Sequence, residues 1–143
     1  MDKHTYICKT TETVALKSTC DRAHIGAVFI NEDYEILVTG YNGAPRKHPH
    51  CDDVGHLMEN NHCVRTTHAE QNAIVQAAKR GVSLKGSILY VTHSPCFICC
   101  KLLINLQVKK IFVKSFYRDR RSYEWFVQSN IPIQQWIKMP SKL

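Results

Sequence analysis

His68-Ala69-Glu70 and Pro95-Cys96-Phe97-Ile98-Cys99 are the stretches whose residue types and spacing could do chemistry. One imidazole and two thiolates occupy three corners of a tetrahedral zinc site and leave the fourth for water. Zinc lowers the pKa of water held in that position, so hydroxide becomes available near neutral pH. Glu70 stands beside the ligand set without belonging to it, where a carboxylate can take the water's proton and pass it on. The chemistry implied is hydrolytic attack on an electrophilic carbon. The competing reading is a structural zinc site. For that, a fourth protein ligand is not obvious within the motif, and Glu70 has no use.

Two helices and a strand must position these groups. Apolar Ala69, Ala73, Ile74, Ala77 and Ala78 recur at helical intervals over residues 67–80, with Thr67 as N-cap and Gly81 as stop. Pro95 suits the first turn of a second helix running to about Leu106. Cysteines three apart on that turn share a face, and a helix N-terminus favours thiolate. Residues 87–92 between them read as a short buried strand.

Elsewhere the pattern predicts an amphipathic helix over residues 4–17, although its threonine-rich centre is a mediocre helix former. Residues 25–30 and 35–41 are β-rich runs around the polar turn Asn31-Glu32-Asp33, a hairpin. Residues 44–66 read as a loop-like insertion carrying Cys51, His56, His62 and Cys63; a connection of that length is usually functional. A strand at 110–114, a loop at 115–121, a short helix at 123–129 and a final strand at 131–136, weakened by Pro132, complete the chain. The alternation of strand and helix predicts one α/β domain over residues 1–143.

The 143 residues suffice for a single core, and the hydrophobic content of 44% is ordinary for a globular protein. No apolar run approaches membrane-spanning length, and Met1-Asp2-Lys3-His4 begins no signal peptide, so the expectation is a reducing cytoplasm and no membrane partner. There, seven cysteines point to metal ligands and buried thiols before disulfides. A net charge of +7 favours an anionic partner, nucleic acid or phosphorylated metabolite, or is simply a basic surface. No long Lys/Arg block marks a nucleic-acid tract.

An H-x-E followed by P-C-x-x-C is the signature of the zinc-dependent nucleobase deaminases. Within that superfamily, Ser18-Thr19-Cys20-Asp21-Arg22, Gly40-Tyr41-Asn42-Gly43-Ala44-Pro45, the segment from His62 to Glu70 and Ser94-Pro95-Cys96 resemble the deoxycytidylate (dCMP) deaminases, over about residues 5–136. The resemblance implies a three-layer cytidine-deaminase-like fold, a central mixed five-stranded sheet flanked by helices. It implies hydrolysis of dCMP to dUMP for thymidylate supply, with His68, Cys96 and Cys99 on Zn²⁺ and Glu70 as proton shuttle. It further implies substrate contacts from Arg22, Asn42, Ala69, Tyr117 and Arg118, Arg22 being otherwise a surface charge. Many family members are homohexamers activated by dCTP and inhibited by dTTP, with Mg²⁺ on the effector phosphates. That makes Tyr41, Asn42 and Gly43 effector candidates, unless the glycines merely serve the turn.

Some members carry a second, structural zinc in the insertion, for which Cys20, Cys51 and His62, with Cys63 or His56, are candidates; free buried cysteines are the alternative. Cys8 and Cys100 read as inert core thiols, and His93 as a residue of the pocket edge. Two other functions compete. A deaminase of bases in tRNA or single-stranded DNA shares the zinc chemistry but needs a basic groove for flanking nucleotides. A non-catalytic zinc-stabilised module has no need of Glu70.

Overall fold

The computed structural model describes residues 1–116 and 120–136. In chain order the elements are α1 Lys3–Ala15, β1 Gly26–Ile30, β2 Ile36–Tyr41, α2 Cys51–Val54, β3 Met58–Glu59, β4 His62–Cys63, α3 Ala69–Arg80, β5 Ile88–His93, α4 Phe97–Leu106, β6 Lys110–Ser115, α5 Arg121–Gln128 and β7 Ile133–Gln135.

Asp2 caps α1 by accepting from the Thr5 backbone N–H at 2.8 Å. The threonines are accommodated because the Thr10, Thr11 and Thr13 hydroxyls donate to the carbonyls of Tyr6, Ile7 and Lys9 one turn back. The helix ends at Ala15, two residues before the expected Lys17. In the β1–β2 hairpin the Asn31 side chain accepts from the backbone N–H groups of Asp33 and Glu35, which closes the turn.

Five strands form one sheet in the order β2-β1-β5-β6-β7. β1 pairs antiparallel with both β2 and β5, while β5–β6 and β6–β7 are parallel, so the sheet is mixed. The parallel pairs require crossovers, which α4 and α5 supply. β2 and β7 are the edges, and just before β7 Pro132 is tolerated because no ladder N–H is needed there; its carbonyl still accepts from Ile111 N at 2.9 Å.

Side-chain alternation separates two cores. Ala27, Phe29, Leu89, Val91, Ile111 and Val113 pack with α3, α4 and α5 on one face. Val28, Ile30 and Tyr90 pack with Ile7 of α1 on the other. The result is the implied three-layer arrangement. Tyr90 is fully buried, its hydroxyl 2.6 Å from His4 Nδ1 and its ring stacked on Phe112.

Two glycines set the layer spacing. A Cβ on Gly26 would lie 2.5 Å from the Thr11 carbonyl oxygen of α1. A Cβ on Gly40 would lie 2.3 Å from the Ala69 oxygen and 2.6 Å from Ala73 N, so only glycine lets the start of α3 rest on β2. Among the described residues no helix is long and apolar enough to cross a membrane.

Candidate active site

α3 starts one residue later than the sequence suggests. His68, not Thr67, is the N-cap, with extended backbone, and the Gln71 side chain accepts from His68 N at 2.9 Å. Gly81 takes the left-handed conformation that stops the helix, as expected. Likewise Cys96 is the N-cap of α4, and Pro95 stands just before the cap instead of in the first turn. Both helix starts therefore converge on one point. His68 Nδ1 is 3.4 Å from Cys96 Sγ and 3.3 Å from Cys99 Sγ, and the three ligand atoms all lie within 4.8 Å of one another. Ligands at zinc–nitrogen and zinc–sulfur bond lengths would stand roughly 3.6 Å apart around a tetrahedron, so the group fits one zinc ion with a corner to spare.

The electrostatics suit the same ion. Hydrogen bonding from Cys99, reinforced by His68, outweighs burial and brings the Cys96 thiol down to about 4. Cys99 is pushed far up by the Cys96 thiolate beside it and by burial, so it must lose a proton when metal enters. Glu70, in the first turn of α3, is 4% exposed. Burial lifts its carboxyl to about 7; its backbone hydrogen bond and His68 oppose the rise, and Cys96 adds to it. Such a group gains and loses a proton near neutral pH.

The remaining expected contacts are distributed differently. Ala69 is fully buried in the core facing β2, and its N–H lies in the first turn of α3, where helical N–H groups have no partner within the helix. The Asn42 carboxamide accepts from Ile25 N at 2.9 Å and donates to the Ala23 oxygen at 2.7 Å, clamping the approach to β1. Arg22 is exposed and donates to the Asn61 carbonyl at 3.2 Å and to Met58 Sδ at 3.6 Å, which fastens the insertion. Tyr117 and Arg118 lie outside the described residues.

The insertion is more ordered than a loop: it holds α2 and the small β3–β4 hairpin. It brings Cys51, His56 and Cys63 to Cys20, with ligand atoms within 4.8 Å of one another. His62 stands outside this group. Adjacent residues of β4 face opposite ways, so Cys63 turns inward and His62 is exposed. His56 Nδ1 is 3.5 Å from Cys20 Sγ, and its Nε2 is 2.9 Å from an Asp21 carboxylate oxygen. A carboxylate behind a histidine is how metal-bound imidazoles are oriented. Burial acts to raise the Cys63 thiol, but the Arg65 and Leu57 backbone N–H groups overcome it and lower the thiol to about 6.

Beyond the zinc-type group lies a groove of about 950 Å³ that the sequence reasoning did not assemble. Arg46, Lys47, Lys79 and Arg80 line it with His48 and His50, and among the described residues no Asp or Glu does. Tyr41 and Gly43 lie in it; Asn42 does not line it. The cations come from the insertion and from the far end of α3, segments that only the fold brings together.

A Cys₂His group at two helix starts, with a buried carboxylate beside it on a three-layer mixed sheet, defines a zinc-dependent hydrolase of the deaminase class. The chain belongs to the cytidine and deoxycytidylate deaminase family, whose zinc-binding region matches residues 1–115. ComE operon protein 2 of Bacillus subtilis is 39% identical over 131 residues, covering 91% of this chain and 69% of that protein. The deoxycytidylate deaminase of Saccharomyces cerevisiae is 27% identical over 91% of this chain, which spans only 43% of the yeast protein. A dCMP deaminase from the cyanophage S-TIM5, solved in complex with dCMP and dUMP, matches with a TM-score of 0.82 at 31% identity, covering 92% of this chain and 95% of that one.

Proposed function

We propose that this chain hydrolyses dCMP to dUMP and ammonia. The observation that carries the chemistry is the buried Glu70 carboxyl in the first turn of α3, beside the converging His68, Cys96 and Cys99. Likeness to the phage enzyme that binds dCMP and dUMP supports the substrate.

A zinc ion held by His68, Cys96 and Cys99 would supply a Lewis-acidic position at which water ionises near neutral pH. Glu70 takes the proton of the attacking water and gives it to cytosine N3, which makes C4 more electrophilic. It then takes the remaining proton of the added water, now the C4 hydroxyl, and delivers it to the amino group, so that the C4–N bond breaks, ammonia departs and the C4 carbonyl of dUMP forms. A carboxyl with equal access to both protonation states serves each transfer. Ala69 offers its N–H to the pyrimidine, and Tyr117 and Arg118 take the 5′-phosphate. The bonds of Asn42 to Ala23 and Ile25, and of Arg22 to Asn61, favour positioning roles for these two.

The basic groove is proposed as the effector site for dCTP and dTTP with Mg²⁺, with Tyr41 and Gly43 at its floor and Asn42 holding that floor from beneath. Cys20, Cys51, His56 and Cys63 are proposed to hold a second, structural Zn²⁺. The assembly is a cytoplasmic homohexamer with no stable nucleic-acid partner.

The test is a panel of dCMP, dCTP, deoxycytidine, single-stranded oligonucleotide and tRNA, assayed with zinc-loaded protein and with Glu70→Ala as blank. Turnover of dCMP far above deoxycytidine and polymer is expected. Activity confined to polymer would move the chain to the nucleic-acid-editing branch and overturn the proposal.

A further inference from the structure

We propose that Asn72 is the positioning residue that carries the state of the basic groove to His68. The inference rests on the effector reading of that groove and adds the route by which the groove acts on the metal-binding residue. Gly43 and Thr67 face each other across the groove floor in a two-way backbone bridge: Gly43 N donates to the Thr67 oxygen at 3.2 Å, and Thr67 N to the Gly43 oxygen at 2.8 Å. Thr67 is joined covalently to His68. The Asn72 amide fastens this bridge from the helix side, donating to the Tyr41 carbonyl at 2.8 Å and to the Thr67 carbonyl at 3.4 Å. Its backbone N–H donates to the His68 oxygen at 2.9 Å. One helical residue thus grips the end of β2, the residue before His68, and His68 itself.

The surroundings make this grip stiff. With no space between Gly40 and the Ala69–Ala73 turn, β2 cannot shift toward α3 without displacing the helix start. Arg46 and Lys47 lie on the insertion side of the groove, and Lys79 and Arg80 at the last turn of α3. A triphosphate binding both pairs draws the loop and the helix toward each other. Asn72 lies between that contact and His68. Helix propensity alone gives no reason for asparagine where the first turn closes, since alanine is the better helix former. The bland alternative is that the amide only satisfies the Tyr41 carbonyl.

The experiment compares wild type, Asn72→Ala and Gln76→Ala, the last lining the same groove one turn further along α3. Cobalt(II) replaces zinc, and Mg·dCTP is the probe. Calorimetry reads dCTP binding, the visible cobalt spectrum reads the geometry at His68, and steady-state kinetics read KM and kcat for dCMP. In wild type and Gln76→Ala, dCTP is expected to lower KM by about 5-fold or more and to change the spectrum. Asn72→Ala is expected to hold cobalt and bind dCTP, with KM and spectrum unmoved by it. If Asn72→Ala does not fold by circular dichroism, Asn72→Ser, whose hydroxyl cannot span both carbonyls, takes its place. A full dCTP response in the Asn72 variant that binds dCTP overturns the coupling and leaves the effector reading standing. Absence of dCTP binding to wild type overturns the effector reading itself, and the coupling with it.

Discussion

Glu70 sits where catalysis and stability pull against each other. Its carboxyl ionises in the unfolded chain near the ordinary glutamate value of 4.5 and in the folded chain at about 7, because burial penalises the charge. The folded state therefore holds the proton more tightly. Any stability linked to that proton is complete below about pH 4.5 and is lost as pH rises through about 7. In the metal-free protein, Glu70→Gln should accordingly equal wild type at pH 4 and exceed it at pH 8 by on the order of 3 kcal/mol. Denaturant titration at the two pH values measures this, and a variant less stable at pH 8 would contradict it. The same substitution should keep the zinc and lower kcat by on the order of 10²–10⁴. His68, Glu70, Cys96 and Cys99 were legible in the sequence because ligand chemistry fixes both residue type and spacing. The hydrogen-bond partners of Asn42 and Arg22 were not, since they depend on which backbone groups the fold sets beside them. His62 misled because the facing of β4 cannot be read until its partner strand is known.

The helices and strands that hold these residues were mostly visible from periodicity, with errors of one or two positions at their ends. Thr67 looks like a cap by residue type. His68 takes the position because Gln71, three residues on, reaches back to its N–H, a local capping contact at the point where the ring meets the cysteines. β2 contributes what no pattern announces, the missing side chain of Gly40. Gly40→Ala should press a methyl into the α3 backbone, lowering the melting temperature by about 5 °C or more and reducing zinc content. Unchanged melting and full zinc would show that β2 and α3 can separate freely. The insertion makes its own prediction. Purified protein should contain two zinc ions per chain by elemental analysis, and His56→Ala or Cys63→Ser should reduce that to one while dCMP turnover persists. One zinc in wild type would remove the second site.

For the molecule as a whole, the three layers follow from strands buried on both faces, which the sequence shows as unbroken apolar runs at β1 and β5. The groove is different in kind. Residues 46–48 and 79–80 come to line one groove only once β2 and α3 are stacked, a grouping that the net charge of +7 does not reveal. If the groove binds a triphosphate, raising the salt concentration should weaken dCTP activation while leaving dCMP turnover without effector far less affected, as exposed charges are screened and buried ones are not. The metal-binding residues themselves lie within one helix-strand-helix unit, from His68 to Cys99, with β5 at its centre. That unit contains the proposed proton-shuttle carboxyl and all three proposed ligands, yet none of the groove's cations except those on α3. The residues proposed for chemistry and those proposed for control thus sit largely on different segments, so the loop carrying Arg46 and Lys47 can be recharged without touching any proposed zinc ligand.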